Sequence, residues 1–285
     1  MSVEHAAGLI RSGGLVAFPT ETVYGLGANA LDPDAVARIY AAKGRPRTSP
    51  LIVHVDSIAM ARSLASEWTD AAEKLAQRYW PGPLTLVVPK RDVVPDIVTA
   101  GLPTVGLRIP DHPLALELIR AAGVPIAAPS ANRFTELSPT APGHIPKTLA
   151  DFALDGGASQ VGIESTVISL AGEPTLLRPG VIPVTEIERI IGPVHIAGPA
   201  IGPHVSPGMH ERHYRPKTPL YLGTPPAEGR GIVLQMPSDP LEYAAILYDT
   251  LHRADAQGFD WIAVEMPPDT PEWAGIRDRL KRAAS

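Results

Sequence analysis

The sequence predicts an α/β fold in which a mixed sheet is followed by a smaller α/β unit. Short apolar runs alternate with amphipathic segments along most of the chain, which is typical of strands interleaved with helices. The 32 prolines and 25 glycines mark many defined turns between these segments. Because 45% of the residues are hydrophobic and 19% are charged, the chain can bury a sizeable core.

In the first part of the chain, short apolar runs that end near proline or glycine predict the strands. We expect strands over residues 15–18, 51–55, 84–88, 104–109, 126–128, 166–170 and 175–178. Helical periodicity predicts helices over residues 4–12, 69–80 and 114–122. A further helix should begin after Asp32, an N-cap residue followed by proline, and end at Gly44, a typical C-cap.

Residues 193–216 are rich in proline and glycine and have no apolar period, which predicts a linker or an active loop. After it, strands over 231–235 and 261–265 each precede a helix, over 240–256 and 271–283. We therefore predict a large domain over 1–192, a linker over 193–217, and a small βαβα, Rossmann-like domain over 218–285.

Composition restricts the possible functions. A net charge of −5 is a poor basis for non-specific nucleic-acid binding, which depends on clustered cations. The chain has no cysteine, which excludes disulfides, thiolate metal sites and a catalytic cysteine. We see neither a signal peptide nor an apolar run near the roughly 20 residues of a membrane helix. The expectation is a soluble cytoplasmic protein.

Two runs near the front of the chain suggest a polyphosphate pocket. Residues 19–27 (PTETVYGLG) combine hydroxyls with glycines in what we interpret as a flexible turn, and Lys43 and Arg45 follow within residues 43–46 (KGRP). The alternative is that these two cations lie on the surface near a helix C-terminus, where they favour the helix dipole.

Three further features favour the pocket. Arg108 lies on an apolar strand, where a charge is costly unless it is paired. Arg178 ends another strand, and the arginine fork suits carboxylates and phosphates. Ser130 and Asn132 add short hydrogen-bonding side chains, although such residues are also common in turns.

Several familiar sites are not indicated. Residues 25–30 (GLGANA) fit the dinucleotide fingerprint, but that motif must join a strand directly to a helix, and here the helix begins only near Pro33. There is no P-loop motif, and Ser130 does not lie in a G-x-S-x-G nucleophile elbow. His204, His210 and His213 could suggest zinc, but no framework of four ligands is evident.

The runs at 19–27, 43–46, 51–54, 106–110, 129–132 and 177–180 together resemble threonylcarbamoyl-AMP synthases, which contain a YrdC-like domain. Residues 206–216 resemble the linker of the long, two-domain form, and the match extends in order over about residues 5–217. The resemblance implies that residues 1–192 are the catalytic, YrdC-like domain. It also implies that the linker over 193–217 is an active-site lid, which brings Tyr214 over the cavity. The tail resembles the second domain of this family in a shortened form.

The resemblance implies an α/β domain with a concave, positively lined cavity. The implied reaction condenses L-threonine, bicarbonate and ATP, with Mg²⁺ accompanying ATP, to threonylcarbamoyl-AMP and pyrophosphate. A tRNA threonylcarbamoyl transferase would be the transient partner, and the product serves N6-threonylcarbamoylation of adenosine 37 in tRNA. Neither membrane association nor stable nucleic-acid binding is expected.

The resemblance also implies the site residues. The catalytic pair would be Lys43 and Arg45, and no protein metal ligand is expected, since Mg²⁺ would be held mainly by the phosphates. Threonine would contact Thr22, His54, Arg108 and Ser165, although His54 on a buried strand could also be an ordinary core histidine. ATP would contact Lys43, Arg45, Ser49, Thr104, Ser130, Asn132, Ser138, Arg178 and Tyr214; family members often carry Asn at the position of Ser49.

Two alternatives stay open at this point. An RNA-binding module could use the same cationic cavity, although scarce aromatic residues (5%) argue against base-stacking platforms. The carbamoyl-transfer enzyme of hydrogenase maturation also contains a YrdC-like domain, but it carries a zinc finger that a chain without cysteine cannot form.

Overall fold

A computed structural model describes residues 2–198 and 214–284. The strands are β1 (Val16–Phe18), β2 (Gly25–Asn29), β3 (Ile52–His54), β4 (Leu84–Pro89), β5 (Thr104–Arg108), β6 (Ile126–Ala127), β7 (Phe152–Ala153), β8 (Thr166–Ser169), β9 (Thr175–Arg178), β10 (His195–Ile196), β11 (Leu220–Leu222), β12 (Gly231–Leu234) and β13 (Trp261–Val264). The α-helices are α1 (Val3–Arg11), α2 (Pro33–Lys43), α3 (Ile58–Leu64), α4 (Asp70–Tyr79), α5 (Asp96–Thr99), α6 (Pro113–Ala122), α7 (Val184–Ile191), α8 (Pro240–Asp255) and α9 (Ala274–Ala283).

The first ten strands form one sheet in the order β10-β9-β8-β4-β5-β3-β6-β2-β1-β7. Pairs such as β3 with β5 are parallel, whereas β4 and β5 are antiparallel, so the predicted mixed α/β sheet is confirmed. In the β3–β5 pair, His54 is the register partner of Arg108. Two residues that the resemblance assigns to the same subsite therefore lie side by side.

Helix α2 begins and ends as its sequence predicts. The Asp32 side chain accepts hydrogen bonds from the backbone N–H groups of Asp34 and Ala35, and Gly44 adopts a left-handed conformation at φ 64°. This sharp stop fixes the direction in which the chain leaves the helix and so places Lys43 and Arg45.

The expectation of a flexible glycine turn within residues 19–27 is wrong for its second half. Gly25 and Gly27 lie inside β2, which pairs antiparallel with β1. A Cβ atom on Gly27 would come within 2.8 Å of both the Phe18 ring and the Ile126 side chain. Glycine is needed here because a ring packs directly on the strand backbone, and not because the backbone turns.

The C-terminal unit has one more strand than the predicted βαβα arrangement. Its parallel sheet has the order β11-β13-β12, and the three-residue β11 is too short to show an alternating pattern. The helix predicted over 271–283 begins with a turn of 3₁₀-helix at Pro271–Trp273 and continues as α9. The short elements α3, α5, α7, β7 and β10 were also not predicted from the sequence.

Residues of both units share one hydrophobic cluster. Val23 and Ile163 from the first unit pack with Leu247 and Tyr248 of α8 and with Ile276 of α9. Strand β10, within the predicted linker, pairs with β9 and so extends the large sheet. In the described part of the chain, no helix combines the length and apolarity that a membrane span requires.

Candidate active site

A cavity lies where the strand ends and loops of the large sheet meet the segment that carries Tyr214. It brings together many of the predicted site residues from distant parts of the sequence. Those in its lining are Thr22, Arg45, His54, Arg108, Ser130, Ser165, Arg178 and Tyr214. The predicted convergence of cations therefore occurs, because three of these residues are arginines.

Two of these arginines are held by hydrogen bonds to the main chain. The Arg45 guanidinium donates to the carbonyl oxygen of Pro50 at 3.2 Å, and Arg178 Nε donates to that of Ser165 at 3.1 Å. Burial lowers the pKa of Arg45 to about 10, which still leaves it charged at neutral pH. Fixed, buried cations of this kind suit the recognition of phosphate or carboxylate.

Lys43 is also buried, and its ammonium group fastens two parts of the site together. Nζ donates to the carbonyl oxygen of Ser130 at 2.5 Å and to the carbonyl oxygen of Asn132. Burial and the nearby Arg45 lower the pKa of Lys43 well below its usual value. The alternative of a surface cation is therefore wrong for Lys43, and Arg45 is only 7% exposed.

All four residues predicted for threonine are in the cavity lining. His54 and Arg108 lie on adjacent strands, and the Ser165 hydroxyl lies 2.8 Å from that of Thr85. Burial, followed by the charge of Arg108, lowers the pKa of His54 to about 3, so its imidazole is neutral at neutral pH. Among the described residues, His54 Nδ1 has no hydrogen-bond partner.

Five other predicted residues are not in the described lining of this cavity: Lys43, Ser49, Thr104, Asn132 and Ser138. The Ser138 hydroxyl donates to Glu164 at 2.5 Å, and Asn132 Nδ2 donates to the carbonyl oxygens of Arg133 and Glu136. Thr104 instead lines a separate, smaller pocket together with Ile52 and Thr85. Ser49 is buried, and its carbonyl oxygen accepts a hydrogen bond from the hydroxyl of Tyr40 at 3.0 Å.

Two buried carboxylates at the site were not predicted from the sequence. Glu164 lines the cavity, and Arg279 Nε donates to its Oε2 at 2.7 Å. Burial acts to raise its pKa, but Arg279, Arg178 and the Ser138 hydroxyl outweigh it, so the pKa of Glu164 is lowered. Glu21 pairs with Arg108. The sequence does carry a signal for both, because Glu21 and Glu164 are each a single charged residue among apolar or hydroxyl residues.

The predicted lid over residues 193–217 lies mostly outside the described residues, and His204, His210 and His213 lie wholly outside them. Tyr214 is described and is 1% exposed, and burial raises the pKa of its hydroxyl. Within residues 2–198 and 214–284, no group of three or more histidine and acidic side chains could hold a metal ion.

Comparison with known proteins identifies the family. The family model described as telomere recombination, named for Sua5, YciO and YrdC, matches residues 8–180. The model of the C-terminal domain of threonylcarbamoyl-AMP synthase matches residues 182–285. The chain belongs to the threonylcarbamoyl-AMP synthase family. It carries both parts of the two-domain members, so the resemblance noted from the sequence motifs is confirmed.

Individual synthases match this chain over nearly its full length. The threonylcarbamoyl-AMP synthase of Pyrococcus abyssi is 50% identical, with 98% of this chain and 93% of the relative covered. The synthase of Bacillus subtilis is 43% identical, with 99% and 92% covered. The crystal structure of the Pyrococcus abyssi Sua5 protein complexed with L-threonine superposes with a TM-score of 0.93, at 40% identity, over 99% of this chain and 94% of that one.

Proposed function

We propose that this protein is an L-threonylcarbamoyladenylate synthase, which condenses L-threonine, bicarbonate and ATP to threonylcarbamoyl-AMP and pyrophosphate. The observation that carries the proposal is the convergence of Arg45, Arg108 and Arg178 on one buried cavity, in a chain of the synthase family. Such an arrangement suits a triphosphate bound beside an amino acid, since the phosphates and the amino-acid carboxylate are all anionic groups.

In the proposed threonine subsite, Arg108 clamps the substrate carboxylate through its guanidinium fork. The adjacent His54 contributes a neutral imidazole that can exchange hydrogen bonds without adding charge. The hydroxyls of Thr22 and Ser165 complete the proposed subsite. The crystal structure of the Pyrococcus abyssi relative with L-threonine supports this choice of ligand.

The proposed nucleotide subsite faces this one. The amine of threonine and bicarbonate first give a carbamate and water. A carbamate oxygen then bonds to the α-phosphorus, while the bond from this phosphorus to the oxygen of the leaving pyrophosphate breaks. This step needs positioning and neutralisation of charge more than a covalent nucleophile. ATP would contact Lys43, Arg45, Ser49, Thr104, Ser130, Asn132, Ser138, Arg178 and Tyr214.

In this scheme Arg45 and Arg178 stabilise the negative charge of the phosphates in the transition state. Lys43 also has a structural role, because its hydrogen bonds to the carbonyl oxygens of Ser130 and Asn132 hold the loop that carries these two residues in place. A closed site protects the reaction, since the carbamate and the mixed anhydride both decay in water.

Mg²⁺ is the metal that the proposed reaction would use. The oxygen atoms in the cavity lining are compatible with a Mg²⁺ ion that enters bound to ATP. Oxygen ligands suit Mg²⁺, and Glu164 is the carboxylate in the cavity lining. Its oxygens already accept hydrogen bonds from Ser138, Tyr248 and Arg279. Phosphate oxygens and water would therefore supply most ligands, and the ion would neutralise phosphate charge.

We further propose that the product serves N6-threonylcarbamoylation of adenosine 37 in tRNA, through a transient encounter with a transferase in the cytoplasm. The alternative of an RNA-binding module predicts salt-sensitive tRNA binding without turnover. Membership of a synthase family along both parts of the chain favours the enzyme.

The test is pyrophosphate release, which should require threonine, bicarbonate and ATP together. Lys43→Ala should abolish this release, whereas Lys74→Ala, at an exposed position of α4, should leave it unchanged. Circular dichroism would check that both variants are folded. Unchanged turnover in folded Lys43→Ala would overturn the assigned role of this residue.

A further inference from the structure

Arg279 reaches from the C-terminal helix α9 into the wall of the candidate active site. Its side chain is 0% exposed. Nε donates to Oε2 of Glu164 at 2.7 Å, Nη2 donates to the Glu164 carbonyl oxygen at 3.2 Å, and Nη1 donates to that of Pro179 at 2.9 Å. One side chain of the C-terminal unit thus holds two segments that border the cavity.

Two tyrosines extend this contact. The Arg279 guanidinium lies over the ring of Tyr214, which lines the cavity, at 5.4 Å from its centre. The Tyr248 hydroxyl on α8 donates to Oε2 of Glu164 at 3.2 Å. Arg279 Nη1 also donates to Oδ2 of Asp278 at 2.8 Å. Glu164 therefore depends on the C-terminal unit for most of its polar contacts.

The helices that carry these side chains approach the first unit at two glycines. A Cβ atom on Gly275 would lie 2.6 Å from the carbonyl oxygen of Gly180, and one on Gly162 would lie 2.2 Å from that of Ala244. Real Cβ atoms do not come this close to backbone atoms. The position of α9, and with it the reach of Arg279, is therefore set by backbone contacts.

We propose that Arg279 is a positioning residue for the ATP subsite, which neutralises Glu164 and holds its carboxylate against the cavity wall. The inference rests on the proposed function. A buried carboxylate without its counter-charge would repel a triphosphate in the same cavity, because charges interact strongly away from water. The C-terminal unit thereby tunes the affinity of the first unit for its most anionic substrate.

The test is calorimetric titration of the full chain with ATP and, separately, with threonine. Arg279→Met should weaken ATP binding on the order of tenfold and change threonine binding by no more than about twofold. Adding Glu164→Gln to Arg279→Met should restore ATP affinity, because the repelling charge is gone. Lys281→Met, an exposed position on the same helix, should bind both ligands as the wild type does.

A double variant that binds ATP no better than Arg279→Met would overturn the proposal, as would a single variant with unchanged ATP affinity. If Arg279→Met does not fold, ATP binding by the single variant Glu164→Gln tests the proposal instead. This variant should bind ATP at least as tightly as the wild type, and weaker binding would contradict the proposal. Binding needs no turnover, so a wild-type protein that binds ATP without releasing pyrophosphate would refute the proposed function alone.

Discussion

Glu21 and Arg108 form a buried ion pair at the proposed threonine subsite. Oε1 of Glu21 lies 2.6 Å from Nη2 of Arg108, and each side chain is 5% exposed. The contact has the distance of an ion pair but not the angles of a hydrogen bond, and these atoms have no hydrogen-bond partner among the described residues. The Arg108 guanidinium can therefore still form hydrogen bonds with the carboxylate of a substrate, and the Glu21 carboxylate can still form them with its amine.

Breaking this pair should be costly. Glu21→Gln leaves the buried Arg108 without its counter-charge, so we expect a loss of about 3 kcal/mol in the free energy of unfolding. Urea unfolding measures this loss. Added threonine should recover part of it, because the proposed site places its carboxylate against Arg108.

An exposed pair provides the control. Glu186 and Arg189 pair on the surface of α7, with side chains 44% and 72% exposed. Glu186→Gln should change stability by less than about 0.5 kcal/mol. Similar losses in the two variants would show that burial does not strengthen the contact between Glu21 and Arg108.

The proposed role of Arg108 predicts a selective kinetic effect. Arg108→Lys keeps the charge but loses the fork, so KM for threonine should rise by about tenfold or more, while KM for ATP stays within about twofold. Steady-state pyrophosphate release measures both values. Arg120→Lys, at an exposed position of α6, is the matched control. An equal rise in both KM values would contradict a carboxylate clamp.

Acid should destabilise the protein through His54. Its pKa is lowered to about 3 in the folded state, mainly by burial, whereas an unfolded histidine has a pKa of about 6.5. The unfolded state therefore binds the extra proton as the pH falls below about 6.5. The stability that neutral His54 contributes is therefore fully present above that pH. Below it, the free energy of unfolding declines by up to about 1.4 kcal/mol per pH unit.

Urea unfolding between pH 7.5 and pH 5 measures this slope. His54→Gln should make the slope shallower, even if the variant is less stable throughout. His5→Gln replaces an exposed histidine and should retain the wild-type slope. A slope that His54→Gln leaves unchanged would rule out His54 as a source of acid sensitivity.

The glycine contact beneath α9 predicts a further stability difference. Gly275→Ala should destabilise the protein by about 1–3 kcal/mol, because the added methyl group meets the Gly180 backbone at 2.6 Å. Gly8→Ala is the control, since a Cβ there has no neighbour within 4 Å and alanine favours the helix α1. Thermal unfolding should show opposite shifts for the two variants; equal shifts would contradict the close contact.

Much of the architecture could be predicted because its signals are local. Asp32 and Gly44 show by type where α2 begins and ends, and the apolar runs of β4 and β8 stand out in sequence. Elements with short or weak patterns, such as β7 and β11, could not be found, since they form only by pairing with a neighbouring strand.

Within the site, charges on apolar strands were predictable, and contacts between distant segments were not. Arg108 stood out because a lone charge on a buried strand requires a partner. That the partner is Glu21 depends on how the loop after β1 folds back over β5. Likewise, Arg279 looks like an ordinary surface residue in a charged helix until α9 packs against Gly180.

The central claim is that the cationic cavity joins threonine, bicarbonate and ATP in one reaction. Mass spectrometry of a reaction with ¹³C-labelled bicarbonate tests it most directly. We predict a threonylcarbamoyl-AMP species one mass unit heavier than with unlabelled bicarbonate, formed together with pyrophosphate and lost when threonine is omitted. An adenylate that carries no label, or no adenylate in the presence of all three substrates, would contradict the account.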